Sequence, residues 1–313
     1  MPRARQMALT EARQGIQNMA SEIDLSAMVA TLEATGRYRV LRRLQLVDPA
    51  VGQSKTPSSV GVVIDTETTG TDTATCKIIE LAMRRFAFTA EGLITKIGRA
   101  YSWREDPGEP LDPAISKLTG LTDADLAGQK IDDEVATDIL RSADVVIAHN
   151  AAFDRPPVER RLPRAAGVPW ACSCHEIDWP ARGFAGRSLG VLLTESGWFF
   201  AAHRAGGDVD AVIAMLQHAA SDGRTSLLEL FENASQPGWL IRALGAHFDV
   251  RAELRVRGYR WDAFEKTWHR EVRAVERESE EAWLASHVYA ASFRPKAPGP
   301  SITPIDWRQR YAK

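Results

Sequence analysis

A short apolar run that ends in two acidic residues constrains the fold of this chain most strongly. Residues 59–70 read S-V-G-V-V-I-D-T-E-T-T-G, and the β-branched run in 60–64 predicts a buried strand. Asp65 and Glu67 are two residues apart, so both side chains leave one face of that strand. Two ionised carboxylates this close repel each other, and Mg²⁺ or Mn²⁺ between them would relieve the repulsion. A solvated acidic turn at the end of a strand fits this stretch equally well.

Length, charge and cysteine content narrow the class of protein. The 313 residues suffice for one large α/β domain and a smaller unit. No run of 18 or more apolar residues occurs, residues 1–20 are too charged for a signal peptide, and three cysteines form no disulfide framework. We therefore expect a cytoplasmic protein with no membrane association. The middle of the chain is acidic and both flanks are basic, which suits a metal site approached by a polyanion.

The remaining pattern predicts helices alternating with strands. Within residues 23–46 we expect a helix that stops at Gly36 and a second, basic helix through Arg39, Arg42 and Arg43, followed by a linker at 49–59. Two antiparallel strands at 77–88 and 93–103 follow the first strand. The further predicted elements are a strand at 144–148 and helices at 114–118, 131–141, 151–162, 188–196 and 207–219. This order predicts a mixed α/β sheet with helices on its faces.

A third carboxylate, Asp154, ends the sequence H-N-A-A-F-D after the predicted strand at 144–148. It falls in the first turn of its helix, above Val158 and Leu162 on the face that packs on the sheet. A charge at that position needs a partner. An acid favoured by the helix N-terminus is an equally good interpretation of this residue alone.

The last cluster is H-R-A-G-G-D-V-D, residues 203–210. Asp208 shares a helix face with Val212 and Met215, so another carboxylate lies at the end of an inward stripe. His203 lies in the loop before that helix, and a neutral imidazole there could take a proton from water, because its pKa lies near the working pH. Taken singly, a loop histidine is more often a surface residue than a base.

Taken in order, D-T-E-T-T-G, H-N-A-A-F-D and H-R-A-G-G-D resemble the motifs of the DEDDh group of DnaQ-like 3′-5′ exonucleases, which includes the proofreading subunit of bacterial DNA polymerase III. The resemblance runs from about residue 60 to 220, and I-S-K-L-T-G-L-T-D-A-D-L at 115–126 looks like the family's connecting stretch. Gly206-Gly207 departs from it, since relatives more often carry a larger residue there. The resemblance implies a ribonuclease H-like mixed five-stranded sheet flanked by helices, which we assign to residues 59–223.

The resemblance also implies a reaction and a role for each motif residue. The expected enzyme removes nucleoside 5′-monophosphates from a 3′ end with two Mg²⁺ or Mn²⁺ ions. Asp65, Glu67 and Asp208 would hold one ion, Asp65 would bridge to the second, and Asp154 would anchor that second ion. His203 would be the general base.

Weaker expectations concern substrate and partners. Thr68, Asn150 and Phe153 are expected near the terminal nucleotide. The expected substrate is nucleic acid with a free 3′ end, with DNA favoured, and the expected partner is a polymerase or repair complex. Two alternatives remain: an exonuclease for RNA or short oligoribonucleotides, and a non-catalytic module that binds nucleic acid or a polymerase.

Flanking the exonuclease-like stretch we expect an N-terminal helical segment with its linker, residues 1–58, and a small α+β unit, residues 224–313. A hairpin at 252–272 would place Arg255, Arg257, Tyr259 and Trp261 on one face, where cations and aromatic rings could grip phosphates and stack on bases. A core position for Tyr259 and Trp261 is at least equally compatible. We expect a helix at 273–289 and a proline-rich tail at 294–304.

Cys172, Cys174 and His175 are potential zinc ligands that lie close together in the sequence. Ligands so close in sequence cannot easily reach one tetrahedral ion together, and no second pair of ligands follows. A zinc site is therefore not expected there.

Overall fold

A computed structural model describes residues 24–47, 49, 59–200, 204–263 and 265–312. Residues 24–45 and 193–200 form one compact unit, and the other described residues form a second. Predictions for residues 1–23 and for most of the linker lie outside the described residues.

The first unit contains a capped helix and a two-stranded ribbon. Helix α1, Leu25–Ala34, begins at Asp24, whose carboxylate accepts hydrogen bonds from two backbone N–H groups at 3.0 Å. Strand β1, Arg42–Arg43, pairs in parallel with strand β7, Trp198–Phe199. The predicted basic helix through Arg39, Arg42 and Arg43 is therefore wrong, because the backbone here pairs with a strand distant in sequence, which a local pattern does not reveal.

The second unit is organised around a mixed five-stranded sheet. The strands are β2 (Ser59–Thr68), β3 (Ile78–Phe88), β4 (Ile94–Arg104), β5 (Val145–Ala148) and β6 (Trp170–Cys172). Their order in the sheet is β4-β3-β2-β5-β6. Strand β3 is antiparallel to both of its neighbours, β2 and β4. Strand β5 is parallel to both β2 and β6. The predicted mixed five-stranded α/β sheet is confirmed. β6 was not predicted, because its three residues are too few to carry a pattern.

Helices cover both faces of this sheet. They are α2 (Pro113–Thr119), α3 (Asp123–Leu126), α4 (Asp133–Arg141), α5 (Ala151–Arg161), α7 (Ala205–Leu216) and α8 (Ser226–Ser235). Helix α6, Leu189–Glu195, lies between α5 and α7 along the chain. Buried side chains of α4 and α5, including Leu140 and Val158, share a core with Ile64 and Met83. Helix α7 packs on β2 and β3. No helix in the described part of the chain is both long and apolar enough to cross a bilayer.

A four-stranded antiparallel sheet follows α8. Its strands are β8 (Gly238–Ala243), β9 (Arg260–Asp262), β10 (Thr267–Arg273) and β11 (Ser301–Ile305), in the order β11-β8-β10-β9. Two helices, α9 (Arg251–Val256) and α10 (Arg277–His287), lie in the same part of the chain. The predicted hairpin holds only for β9 and β10, since residues 251–256 are helical. The predicted proline-rich tail contains β11, an edge strand, where a proline is tolerated.

Candidate active site

Asp65 and Glu67 lie at the carboxyl end of β2, on the face that α7 covers. Between them Thr66 points the other way and is 5% exposed. Both acids are half-buried. The alternation of the strand therefore places two carboxylates side by side at the sheet edge, as the sequence predicts.

Helix α7 brings Asp208 to the same place. Asp208 lies in the first turn of α7, where one carboxylate oxygen accepts a hydrogen bond from the backbone N–H of Arg204 at 3.2 Å. Asp65, Glu67 and Asp208 each offer an oxygen, and these oxygens lie within 4.8 Å of one another. Among the described residues, this is the one group of three or more potential ligands close enough to hold a metal ion.

Asp154 lies beside this group at the start of α5 and is 3% exposed. Its Oδ1 accepts hydrogen bonds from the hydroxyl and the backbone N–H of Thr66, at 2.8 and 3.1 Å. Asp154 is outside the three-acid group, but its charge acts on Asp65 and Glu67. The structure thus brings all four predicted acids to one end of the sheet.

Burial and mutual repulsion raise the pKa values of the acids in this cluster. Burial, followed by the charges of Asp154 and Asp208, raises the pKa of Asp65 well above its usual value. Burial and neighbouring acids raise the pKa of Glu67 to about 7. Burial also raises the pKa of Asp154 to about 7, against the lowering effect of its hydrogen bonds to Thr66. Without a cation, these carboxyl groups cannot all be ionised at once. Their oxygens are hard ligands, so the cluster fits divalent cations such as Mg²⁺ or Mn²⁺.

A fifth acid, Glu80, was missed by sequence reasoning. It lies on β3 directly opposite Glu67 and is 7% exposed. Its charge contributes to the raised pKa of Asp65 and of Glu67. Its Oε2 accepts a hydrogen bond from the backbone N–H of Ala205, the first residue of α7, at 3.4 Å. Only the register of β2 against β3 reveals this position, because I-I-E-L-A by itself reads as an ordinary strand.

Arg204 is the second residue that sequence reasoning missed. Its positive charge lowers the pKa of Glu67, opposing the surrounding acids. The guanidinium also lies near Gly120, where an added Cβ would meet Nη2 at 3.2 Å. Arg204 thus lies near both the acid cluster and Gly120.

The predicted base and substrate contacts stay predictions. His203 lies outside the described residues. Thr68 is 5% exposed and its hydroxyl donates to the carbonyl of Gly70 at 2.7 Å. Asn150 precedes α5 with φ 107°, a left-handed conformation that a residue with a side chain seldom adopts, and Phe153 is half-buried in the first turn.

The predicted grip surface in the C-terminal part of the chain is corrected by the structure. Tyr259 is 2% exposed and belongs to the local core, because α9 rather than a strand precedes it. Arg257 is paired with the buried Glu280 at 3.0 Å. Trp261 is 51% exposed, and Arg255 is exposed on α9. Only Arg255 and Trp261 of the four therefore present free surface for a ligand.

Cys172 and Cys174 make separate contacts in the structure. Cys172 Sγ lies 3.2 Å from His175 Nδ1, while Cys174 Sγ faces the carbonyl of Arg187. Burial raises the pKa of Cys172 to about 11, which disfavours the thiolate that a zinc ligand requires. The geometry therefore gives no support to a zinc site.

Comparison with known proteins agrees with the site. The model of the exonuclease family that includes RNase T matches residues 62–216. Residues 62–216 belong to the DnaQ-like 3′-5′ exonuclease family. This stretch, the exonuclease domain, contains all four predicted acids and His203.

Two of three similar proteins extend well beyond the region that they share with this chain. The PolC-type DNA polymerase III of Halalkalibacterium halodurans is 39% identical over 95 residues, which are 30% of this chain and 6% of that protein. Exonuclease I of E. coli with a dA16 oligonucleotide is 15% identical with a TM-score of 0.45, covering 80% of this chain and 64% of that one. Exonuclease X with 5′ overhanging duplex DNA is 22% identical with a TM-score of 0.39, and the match covers 54% of this chain and 99% of that one. The chain thus spans less than two thirds of the length of the polymerase and of exonuclease I.

Proposed function

We propose that the chain is a divalent-cation-dependent 3′-5′ exonuclease that acts on DNA, on single-stranded or frayed 3′ ends. The observation that carries this proposal is the convergence of Asp65, Glu67 and Asp208, with oxygens within 4.8 Å of one another, beside the buried Asp154. All four acids lie in the region that matches the exonuclease family.

The four acids would hold two metal ions in the proposed reaction. Asp65, Glu67 and Asp208 would hold one divalent ion, with Asp65 shared with a second ion that Asp154 anchors. When bound, the ions lower the pKa of a water molecule and neutralise charge on the phosphate. Thr66 fixes the orientation of Asp154 through two hydrogen bonds, so this carboxylate is preorganised before metal arrives.

His203 would take the proton from the attacking water. The new P–O bond forms as the bond from phosphorus to the 3′ oxygen of the preceding nucleotide breaks. The leaving oxygen takes up a proton and becomes the new 3′-hydroxyl, and a nucleoside 5′-monophosphate is released. Thr68 follows Glu67, Phe153 precedes Asp154, and Asn150 lies just before α5, and we assign these three residues to the terminal nucleotide.

We further propose that the nucleic-acid strand contacts Arg255 and Trp261. The guanidinium of Arg255 lies 6.0 Å from the ring of Trp268, whose ring lies 5.6 Å from that of Trp261. A cation next to an exposed ring can bind a phosphate while the ring stacks on a base. Trp261→Ala should weaken binding of single-stranded DNA about 5- to 100-fold, since stacking contributes about 1–3 kcal/mol per base. Val275→Ala, also at an exposed position, is the control and should leave the affinity unchanged.

A polymerase or repair complex is the proposed partner. The support is the match to a PolC-type DNA polymerase III. Co-purification with a polymerase subunit from cells expressing the tagged chain would support this proposal, and recovery without one would contradict it.

The deciding experiment compares hydrolysis of 3′-labelled single-stranded DNA, duplex DNA and RNA with Mg²⁺, Mn²⁺ or EDTA. Metal-dependent release of mononucleotides from DNA supports the proposal. Faster release from RNA would favour the RNA alternative. Tight binding without hydrolysis would favour a non-catalytic module.

A further inference from the structure

Arg155 follows Asp154 directly and is 1% exposed, although it carries a full charge. Its Nε donates to Glu159 at 2.9 Å. Its other nitrogens donate to three backbone carbonyls near the far end of the chain, those of Trp307, Arg308 and Arg310. A buried guanidinium is stable only with such partners, so Arg155 depends on residues 307–310.

Residues 307–310, the C-terminal clamp, are themselves fixed to the exonuclease domain and to its neighbouring helix. The carbonyl of Trp307 accepts a hydrogen bond from the backbone N–H of Trp170 at 2.8 Å, and its ring meets Phe231 edge-on at 5.4 Å. Arg308 donates to the carbonyl of Gly167 at 2.9 Å. These contacts hold the backbone carbonyls of the clamp in place beside Arg155.

The start of α5 needs an external anchor. Pro156 and Pro157 lie inside α5 and have no N–H group, so the carbonyls of Ala152 and Phe153 lose their usual helical partners. The turn that carries Asp154 is thus weakly tied to the rest of its helix. Side-chain contacts must hold this turn, and the structure provides them through Asp154 to Thr66 and through Arg155 to the clamp.

We propose that Arg155 and the C-terminal clamp position Asp154 for metal binding, so that a segment beyond the family-matched region completes the metal site. The proposal rests on the proposed function only in taking Asp154 as a metal ligand. Arg155 is a positioning residue, since its guanidinium is occupied by the clamp and by Glu159.

The test is direct Mn²⁺ binding to the full chain without nucleic acid, with thermal unfolding measured in parallel. Arg155→Met should weaken Mn²⁺ binding at the site that includes Asp154 about 10- to 100-fold, as expected for loss of an outer contact to a ligand. Arg182→Met is the matched control. Arg182 is also buried, pairs with Glu229 at 2.7 Å and donates to three backbone carbonyls, but it does not adjoin an acid of the site.

Both methionine variants should lower the melting temperature, and only Arg155→Met should change Mn²⁺ affinity. Equal Mn²⁺ affinity in the two variants and the unmodified chain would overturn the proposal. If Arg155→Met does not fold, Arg155→Lys replaces it. Lysine keeps the positive charge but lacks the planar guanidinium that donates to several carbonyls at once, so this variant should bind Mn²⁺ more weakly than the control. A chain that binds Mn²⁺ without hydrolysing nucleic acid would refute the proposed function and leave this proposal standing.

Discussion

Glu80 and Glu67 are directly opposed residues of two neighbouring strands, β3 and β2. Opposed like charges destabilise a sheet, and here both add to the repulsion felt by Asp65. The site therefore holds more negative charge than the predicted ligands alone provide. This excess sets the direction of several expected results.

Replacing a metal ligand should separate activity from stability. Asp65→Asn and Asp208→Asn should each lower nuclease activity at least about 1,000-fold, because loss of an ion removes several kcal/mol of transition-state stabilisation. Each variant should also melt at an unchanged or higher temperature in EDTA at pH 8, since repulsion is relieved. Initial rates on 3′-labelled DNA and circular-dichroism melts test both parts. A variant with normal activity would contradict the assigned site.

Stability without metal should fall with rising pH. The pKa of Glu67 is raised from 4.5 to about 7 and that of Asp154 from 3.8 to about 7, so the folded chain retains protons that the unfolded chain has released. The contribution of these groups to stability therefore declines between about pH 4 and pH 7. Mg²⁺ should raise the melting temperature more at pH 8 than at pH 5. An equal increase at both pH values would contradict this electrostatic account.

Glu80→Gln keeps an acceptor for the N–H of Ala205 and removes the charge. We expect it to stabilise the metal-free chain at pH 8, because the charge of Glu80 is one of the charges that raise the pKa of Asp65 and of Glu67. Glu109→Gln, at an exposed position, is the control and should have little effect. Urea unfolding in EDTA measures both. A loss of stability in Glu80→Gln would show that the charge is needed for the hydrogen bonds of Glu80.

His203→Ala tests the general base. A rate reduction of about 100- to 10,000-fold is expected in saturating Mg²⁺, the usual contribution of a positioned base. Mn²⁺ affinity should remain that of the unmodified chain, because His203 is assigned no metal. Full nuclease activity in this variant would remove His203 from the mechanism.

Gly61→Ala should destabilise the strand that carries the acids. An added Cβ would lie 2.2 Å from the ring of Phe86, far inside contact distance. We expect a loss of about 1–3 kcal/mol, as for other overpacked cores. Gly70→Ala is the control, since nothing lies within 4 Å of its added Cβ. Denaturant midpoints compare the two variants, and equal midpoints would contradict the packing described.

Local sequence patterns predicted the elements whose periodicity is strong. The run before Asp65 and the apolar residues at the start of β3 reflect side chains that face a core on one or both sides of the sheet. The same reasoning failed at α9, where A-E-L-R-V-R alternates like a strand. Leu254 is completely buried and Val256 is 89% exposed, so their shared apolar character did not mean a shared face.

The sequence predicts the four acids of the site, but not the residues that surround them in the folded chain. Asp65, Glu67, Asp154 and Asp208 each follow a recognisable local pattern. Glu80 and Arg155 act through residues that are distant along the chain, and their partners depend on strand register and on the path of the last segment. Such pairings arise from tertiary structure and leave no local signal.

The dependence of Arg155 on Trp307, 152 positions later, also has a consequence during synthesis. A nascent chain emerging from the ribosome can form the sheet and present the acids before the clamp has been translated. Until those last residues arrive, the guanidinium beside Asp154 has no carbonyl partners. A growing polypeptide should therefore acquire nuclease competence late, when almost the whole of the sequence described here has been made.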